Sequence, residues 1–283
     1  MSSNLKGICL ILVTLALFVS MDSVAKHLVQ SYPPIQVIWA RYLSQTVVSF
    51  VLLSPVLYHV LKTKNFKLQL VRSALLFTAT ICFFTSLKTL KLAEVNAIFM
   101  VSPIFVTILS VLVLKETVGY RRWLGVAFGL IGALLIIGPG TGVFSYVVIL
   151  PIISALGYAG FVISTRYLSQ DESPLTSFVY TALLGSIAAS VLVVPSWTPI
   201  DSSDLFVFSV FGLLGAAGHF LLIHAYRASE ASFLAPFNYI GIIYGSVWGF
   251  YFFDEVPSLI TVLGGLIIVS SGVYIWLREQ KNK

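Results

Sequence analysis

The chain has 283 residues, 58% hydrophobic and 10% charged, with a formal net charge of +6 and a mean hydropathy of +0.97. A soluble domain is about 25% charged, so this composition excludes a sizeable soluble domain. The basic residues fall between apolar runs instead of forming a patch, which excludes nucleic acid as a partner and points to a lipid bilayer.

Ten apolar stretches follow one another, each close to the roughly 20 residues that cross a bilayer as a helix. The first covers 5–25. Lys6 ahead of an apolar run has the look of a secretory leader, but the run continues through Asp22 to about Val24 and no A-x-A site follows, so it reads as a helix. Pro33-Pro34 ends it, and the next stretches run 35–56, 72–90, 94–114 and 122–138. Gly138-Pro139-Gly140 marks the midpoint. The second half holds 144–166, 175–194 after Pro174, 205–226 after Pro195 and Pro199, 231–252, and 258–277 after Pro257. Cys9 and Cys82 lie inside these stretches as small apolar fillers, without metal-ligand spacing.

Lysine and arginine set the orientation. With the N-terminus inside, thirteen of these residues fall on the inner side, three (Lys26, Lys88, Lys91) on the outer side, and Arg41 within the second stretch. The positive-inside rule then puts both termini in the cytoplasm. Trp39, Trp123, Trp197 and Trp276 lie near stretch ends, as interfacial anchors do.

The two halves repeat. Lys26-His-Leu28-Val-Gln30 with Pro34 matches Arg166-Tyr-Leu168-Ser-Gln170 with Pro174, a displacement of 140. Lys91-Leu-Ala-Glu94 matches Arg227-Ala-Ser-Glu230 at 136, and Lys115-Glu116 matches Asp254-Glu255 at 139. Five helices per copy force opposite orientations. The expected fold is therefore an all-α membrane protein of ten transmembrane helices, built as two inverted five-helix repeats at 5–138 and 144–277. Inverted repeats are the plan of many secondary transporters, with the substrate site where the halves meet.

Ionisable groups inside spans are costly and usually functional. Asp22 and Lys26 share one helix face in the favourable i, i+4 order. Arg41 sits seven residues past Pro34, about 10 Å into its helix. With Lys88 these make a cationic outer vestibule, or else an interfacial ion-pair set with the lysines snorkelling. Asp22, Lys26 and His219 are candidates for gating or ion coupling. Candidate substrate contacts are Arg41 with Gln45 one turn on, Trp39, Phe84, Lys88, Asn96, Tyr158, His219, Asn238, Tyr239 and Trp248. Asn238 follows Pro236 in an apolar stretch, a pattern for a kinked, substrate-facing segment. His219 and His224 are five apart, about 140° around a helix, and do not make a metal pair. No metal or cofactor is expected. Gly125, Gly129 and Gly132 form a ridge for close helix packing. Glu116 and Glu255 oppose the dipole at helix ends, so neighbouring N–H groups or, for Glu116, Arg121 and Arg122 must compensate. Lys91 with Glu94 and Arg227 with Glu230 read as loop pairs.

The stretches AEVNAIFMVSPIFVTILSVLVLKE (93–116) and SEASFLAPFNYIGIIYGSVWGFYFFDE (229–255), each followed by a glycine-bearing helix, resemble the drug/metabolite transporter superfamily, in its ten-helix group of two EamA domains. The APFNY segment and the preceding His-Ala-Tyr-Arg are similar to bacterial riboflavin permeases and S-adenosylmethionine uptake carriers of that superfamily. The resemblance implies that helices 1–4 and 6–9 surround a central cavity while helices 5 and 10 brace it. It also implies inner-membrane transport of a small-molecule substrate, riboflavin-like uptake first and export of amino acids or related metabolites second, by a monomer or homodimer. An intramembrane lipid-modifying enzyme is the alternative of another class. Against it, the chain has no HExxH, no paired membrane carboxylates and no Ser–His or Cys–His arrangement.

Overall fold

The apolar runs become helices, the conformation that lets a segment satisfy every backbone group within itself in lipid. The computed structural model describes residues 3–90, 92–137, 147, 149–169, 171–253 and the single positions 259, 263, 266, 267, 270 and 274. The described residues hold no strand. Beyond the single positions, the tenth predicted span (258–277) lies outside them, as do Glu255, Lys91 and the start of the sixth.

In chain order the helices are α1 (Ser3–Ser31), α2 (Pro34–Leu53), α3 (Leu57–Val60), α4 (Phe66–Leu87), α5 (Leu92–Phe99), α6 (Ser102–Leu114), α7 (Tyr120–Ile137), α8 (Ile149–Leu168), α9 (Pro174–Val193), α10 (Asp204–Ala228), α11 (Ala231–Leu234) and α12 (Ile240–Phe253). Six helical segments are long and apolar enough to cross a membrane: Asn4–Ser31, Pro34–Val60, Phe66–Leu87, Ile149–Leu168, Pro174–Ser196 and Leu205–Ala228. Their outward faces carry exposed apolar side chains such as Val51, Leu70, Val191 and Leu213.

The repeat is visible in the packing. α1 lies against α10 and α4 against α8, while α2 pairs with α9. The repeat offset relates α1 to α8, α2 to α9 and α4 to α10, so the first two contacts exchange and the third maps onto itself. That is the signature of an internal two-fold axis. Both second helices open on proline, Pro34 and Pro174, whose missing N–H costs nothing at the first turn. Glycines bring the halves close. A Cβ on Gly215 of α10 would meet Met21 Sδ at 3.2 Å and Arg41 Cγ at 3.3 Å, so glycine leaves the room in which the Arg41 stem lies.

Each repeat has one interrupted helix. The fourth predicted span (94–114) breaks at Met100–Val101 into α5 and α6, and the ninth (231–252) becomes α11, a 3-10 turn over Ala235–Tyr239, and α12. At the 136-residue offset Met100 corresponds to Pro236, so the interruptions fall at the same repeat position. Pro103 and Pro236 supply the cause, since neither has an N–H for the carbonyl four residues earlier.

α6 ends on Lys115, the only non-glycine residue with positive φ among those described (φ 55°). That turn delivers Glu116 to the start of α11. There its carboxylate accepts from the backbone N–H groups of Ala231 (3.2 Å) and Ser232 (3.1 Å) and from Ser232 Oγ (2.6 Å). Neighbouring N–H groups thus compensate Glu116, with Arg166 at 3.8 Å in place of Arg121 or Arg122. Glu230 pairs with Arg122 at 2.6 Å, not with Arg227.

Candidate functional site

Among the described residues two hollows stand out. The larger, about 440 Å³ between α1, α10 and α12, has Ser23, His27 and Trp248 in its wall and, among the described residues, no carboxylate or guanidinium. The smaller, about 100 Å³, sits between the repeats and gathers the costly groups: Asp22, Arg41, Asn96, His219 and Asn238 all line it. A bilayer-embedded protein keeps such groups only where they have work or partners, so the second hollow is the candidate site.

Every wall comes from a different element. α1 contributes Asp22 and Phe18, α2 Arg41, α4 Thr80 with Phe83 and Phe84, and α8 Tyr158. α10 contributes His219, while the two interruptions supply Asn96, Phe99 and Met100 from one repeat and Asn238 and Gly241 from the other. Asn96 and Asn238 each turn an amide N–H back to their own segment, onto Leu92 O (3.0 Å) and Ala235 O (3.2 Å).

Arg41 and His219 form the polar centre. Arg41 is 3% exposed; its Nη1 donates to Thr80 Oγ1 at 2.8 Å and its Nη2 is hydrogen-bonded to His219 Nε2. A guanidinium has donors only, so Nε2 must be the acceptor. The imidazole proton then resides on Nδ1 in the neutral ring. Both Arg41 Nε and His219 Nδ1 are buried with no hydrogen-bond partner. The centre therefore offers two free N–H donors to a ligand oxygen, and the Asp22 carboxylate lies within electrostatic reach of the same guanidinium. Aromatic rings surround it. Phe18 lies 4.9 Å from His219, Phe99 meets Phe83 at 5.5 Å and Tyr158 at 5.4 Å, and the guanidinium is 5.9 Å from the Phe84 ring centre.

Of the candidates named from sequence, Asp22, Arg41, Phe84, Asn96, Tyr158, His219 and Asn238 meet at this cavity. The others lie elsewhere. Gln45 is fully buried one turn below Arg41, with neither amide atom bonded. Trp39 donates to Ser190 Oγ (3.1 Å) and stacks edge-on with Trp197 at an inter-repeat contact. Lys88 is exposed and Lys26 half-buried. Tyr239 is buried against α7: its hydroxyl donates to Val126 O (3.2 Å), and its ring occupies the space a Cβ on Gly129 would need. Trp248 belongs to the larger hollow. Among the described residues no group of three or more His, Cys, Asp or Glu is placed to hold a metal.

Three residues escaped sequence reasoning. Thr80 anchors Arg41, and the 139-residue offset that aligns it with His219 was the available signal. Arg72, counted there among inner loop cations, is instead fully buried in α4. Glu172 is buried at the opposite face of the bundle, where it grips the first repeat's loop at Thr63, Lys64 and Asn65.

Comparison with known proteins agrees with this construction. The sequence matches the EamA-like transporter family over residues 5–138 and again over 145–277. It is 26% identical over 285 residues to the S-adenosylmethionine uptake transporter of Rickettsia prowazekii, covering 100% of this chain and 96% of that one. It is 29% identical over 246 residues to the riboflavin transporter of Brucella anthropi (83% and 87% covered), and 32% identical over 187 residues to that of Vibrio cholerae (66% and 63%). A solved crystal structure superposes with a TM-score of 0.81 at 14% identity, over 99% of this chain and 98% of the other, a likeness of fold.

Proposed function

We propose, from the premise that this chain belongs to the EamA-like transporter family, that it carries a small, polar, planar metabolite across the bacterial inner membrane by alternating access, with riboflavin-like uptake as the first reading. It is a multi-pass membrane transporter and not an enzyme, like its named relatives. Ten spans with both termini in the cytoplasm complete the proposal, on the strength of the lysine and arginine distribution.

One observation carries the substrate class. The Arg41–His219 centre keeps two buried, unpartnered N–H donors beside a cavity walled by Phe18, Phe83, Phe84, Phe99 and Tyr158. A flat heterocycle stacks on such rings, and its carbonyl oxygens accept from the two donors. A site built to hydrogen-bond a ligand also rejects analogues lacking the acceptor, because its buried donors are then left unpaired.

Asp22 favours a second reading. A carboxylate beside a guanidinium in one cavity matches the ammonium and carboxylate of an amino-acid tail, as in S-adenosylmethionine or an exported amino-acid derivative. The chain carries no P-loop, so the drive comes from a gradient or from exchange. The interrupted helices α5/α6 and α11/α12 give the two repeats places to flex around the site.

The deciding experiment is riboflavin uptake in a bacterial strain that neither makes nor imports it, with and without this chain. Saturable rescue is expected. No rescue, with the protein shown in the membrane, overturns flavin uptake, and S-adenosylmethionine uptake in the same cells then tests the second reading.

A further inference from the structure

Below the cavity lies a second guanidinium. Arg72 is 0% exposed. Its Nε donates to Thr165 Oγ1 on α8 (2.7 Å), and its Nη1 donates to Ser177 O (2.9 Å) and Thr181 Oγ1 (2.6 Å) on α9. The guanidinium carbon lies 4.5 Å from the centre of the Phe161 ring. All of these partners are neutral, and among the described residues no carboxylate pairs with Arg72. Nη2 has no hydrogen-bond partner.

Its surroundings share that property. On the same helix Gln69 Oε1 and Ser73 Oγ are buried and unpartnered. Each buried unsatisfied group costs about 1–3 kcal/mol, and a charged one more. As a tie between α4, α8 and α9 this cluster is a poor device, because apolar side chains of similar volume hold helices together without that cost.

Its position supplies the reason for it. Thr80, which anchors Arg41, follows Arg72 by eight residues on α4, a rise of about 12 Å along that helix. A single ring separates the two arginines: the Phe161 face carries Arg72, and its edge meets His219 at 6.0 Å, itself bonded to Arg41. Given the proposed orientation, Arg72 stands on the cytoplasmic side of the cavity.

We infer that Arg72 is a second station for an acceptor oxygen of the cargo, a carbonyl or carboxylate oxygen, on the inner half of the translocation path. It rests on the transport reading above. Displacement of the Phe161 ring joins this station to the cavity, and the free Nη2 edge takes the oxygen while Thr165 and Thr181 hold the guanidinium in place. Arg41 has Asp22 nearby and, among the described residues, Arg72 has no such counterpart, so the uncompensated guanidinium makes the inner half of the path electropositive.

The test uses thiol chemistry and no transported substrate. In the full chain with Cys9→Ser and Cys82→Ala, Ser73→Cys is exposed in inside-out vesicles to sulfonatoethyl and trimethylammonium-ethyl methanethiosulfonates. After correction for intrinsic thiol reactivity, the anionic reagent is expected to react about tenfold faster, the scale of charge focusing in a cleft. Arg72→Gln should abolish that preference and Arg72→Lys should keep it. No reaction from either side of the membrane, or equal corrected rates with Arg72 present, overturns the proposal and leaves Arg72 a structural tie. If Arg72→Gln does not reach the membrane, the rate ratio with Arg72 present still decides. Failure here with uptake intact removes the second station alone, whereas lost uptake with the charge preference intact removes the substrate reading.

Discussion

Tyr32 and Glu172 occupy the same position in the two repeats, 140 residues apart, and each grips the other repeat's loop at opposite faces of the bundle. Tyr32 donates to Asp204 Oδ2 (2.7 Å) and accepts from the Asp201 N–H (3.1 Å). Glu172 accepts from Thr63 Oγ1 (2.6 Å) and from the N–H groups of Lys64 (2.7 Å) and Asn65 (3.1 Å). The gripped loops also correspond, since they lead into α4 and α10.

These latches predict separable effects on the two faces. Hydrogen bonds to a charged group are worth about 1.5–3 kcal/mol, so Glu172→Gln should shift the Glu172 face toward open by about tenfold in population. Spin labels at Lys62→Cys and Asp171→Cys should report longer distances in Glu172→Gln and unchanged ones in Tyr32→Phe. A pair at Ser31→Cys and Ser202→Cys should do the reverse. Identical distributions in all variants sink the latch assignment.

Cavity residues should separate from their neighbours in transport. Arg41→Ala, His219→Ala and Asn238→Ala are expected to lower uptake at least tenfold at normal membrane levels, a loss of about 1.4 kcal/mol or more. Lys88→Ala and Trp39→Ala, outside the cavity, should stay within about twofold, which is under about 0.5 kcal/mol. Wild-type rates for both Arg41→Ala and Asn238→Ala would place the cavity wrongly.

Orientation has a direct check. A cysteine at Lys64 in a cysteine-free background should react with an impermeant maleimide in inside-out vesicles and not in sealed cells. The opposite pattern reverses the topology.

Close packing at Gly185 yields a stability prediction. An added Cβ there overlaps the Tyr42 ring, and overpacking of this kind costs about 1–3 kcal/mol. Gly185→Ala should lower the melting temperature in detergent by several degrees, with part of the loss recovered in Gly185→Ala/Tyr42→Leu. Gly245→Ala, which meets open space, should be neutral.

Much of this arrangement was legible in the chain because prolines and intramembrane polar groups act locally. Pro34, Pro174 and Pro236 fix where helices start or break whatever surrounds them. The cost of burying Arg41 or His219 in lipid sends them inward from any starting guess. Rotational phase was not legible. A helix apolar all round offers no moment to orient it, so Trp39, Tyr239 and Trp248 were candidates by type and turned out to face other surfaces. Arg72 escaped notice because Lys62, Lys64 and Lys67 precede it closely and dress it as a loop cation. The signal was there in Gln69, Arg72 and Ser73, a polar stripe at three- and four-residue spacing inside an apolar helix.

Glu116 follows the second half of one interrupted helix and fastens onto the first turn of the other. One carboxylate thus strings the two flexible joints in series, like links sharing a pin. A tilt of α6 must drag α11 with it. Three hydrogen bonds through one side chain make the two interruptions a coupled pair.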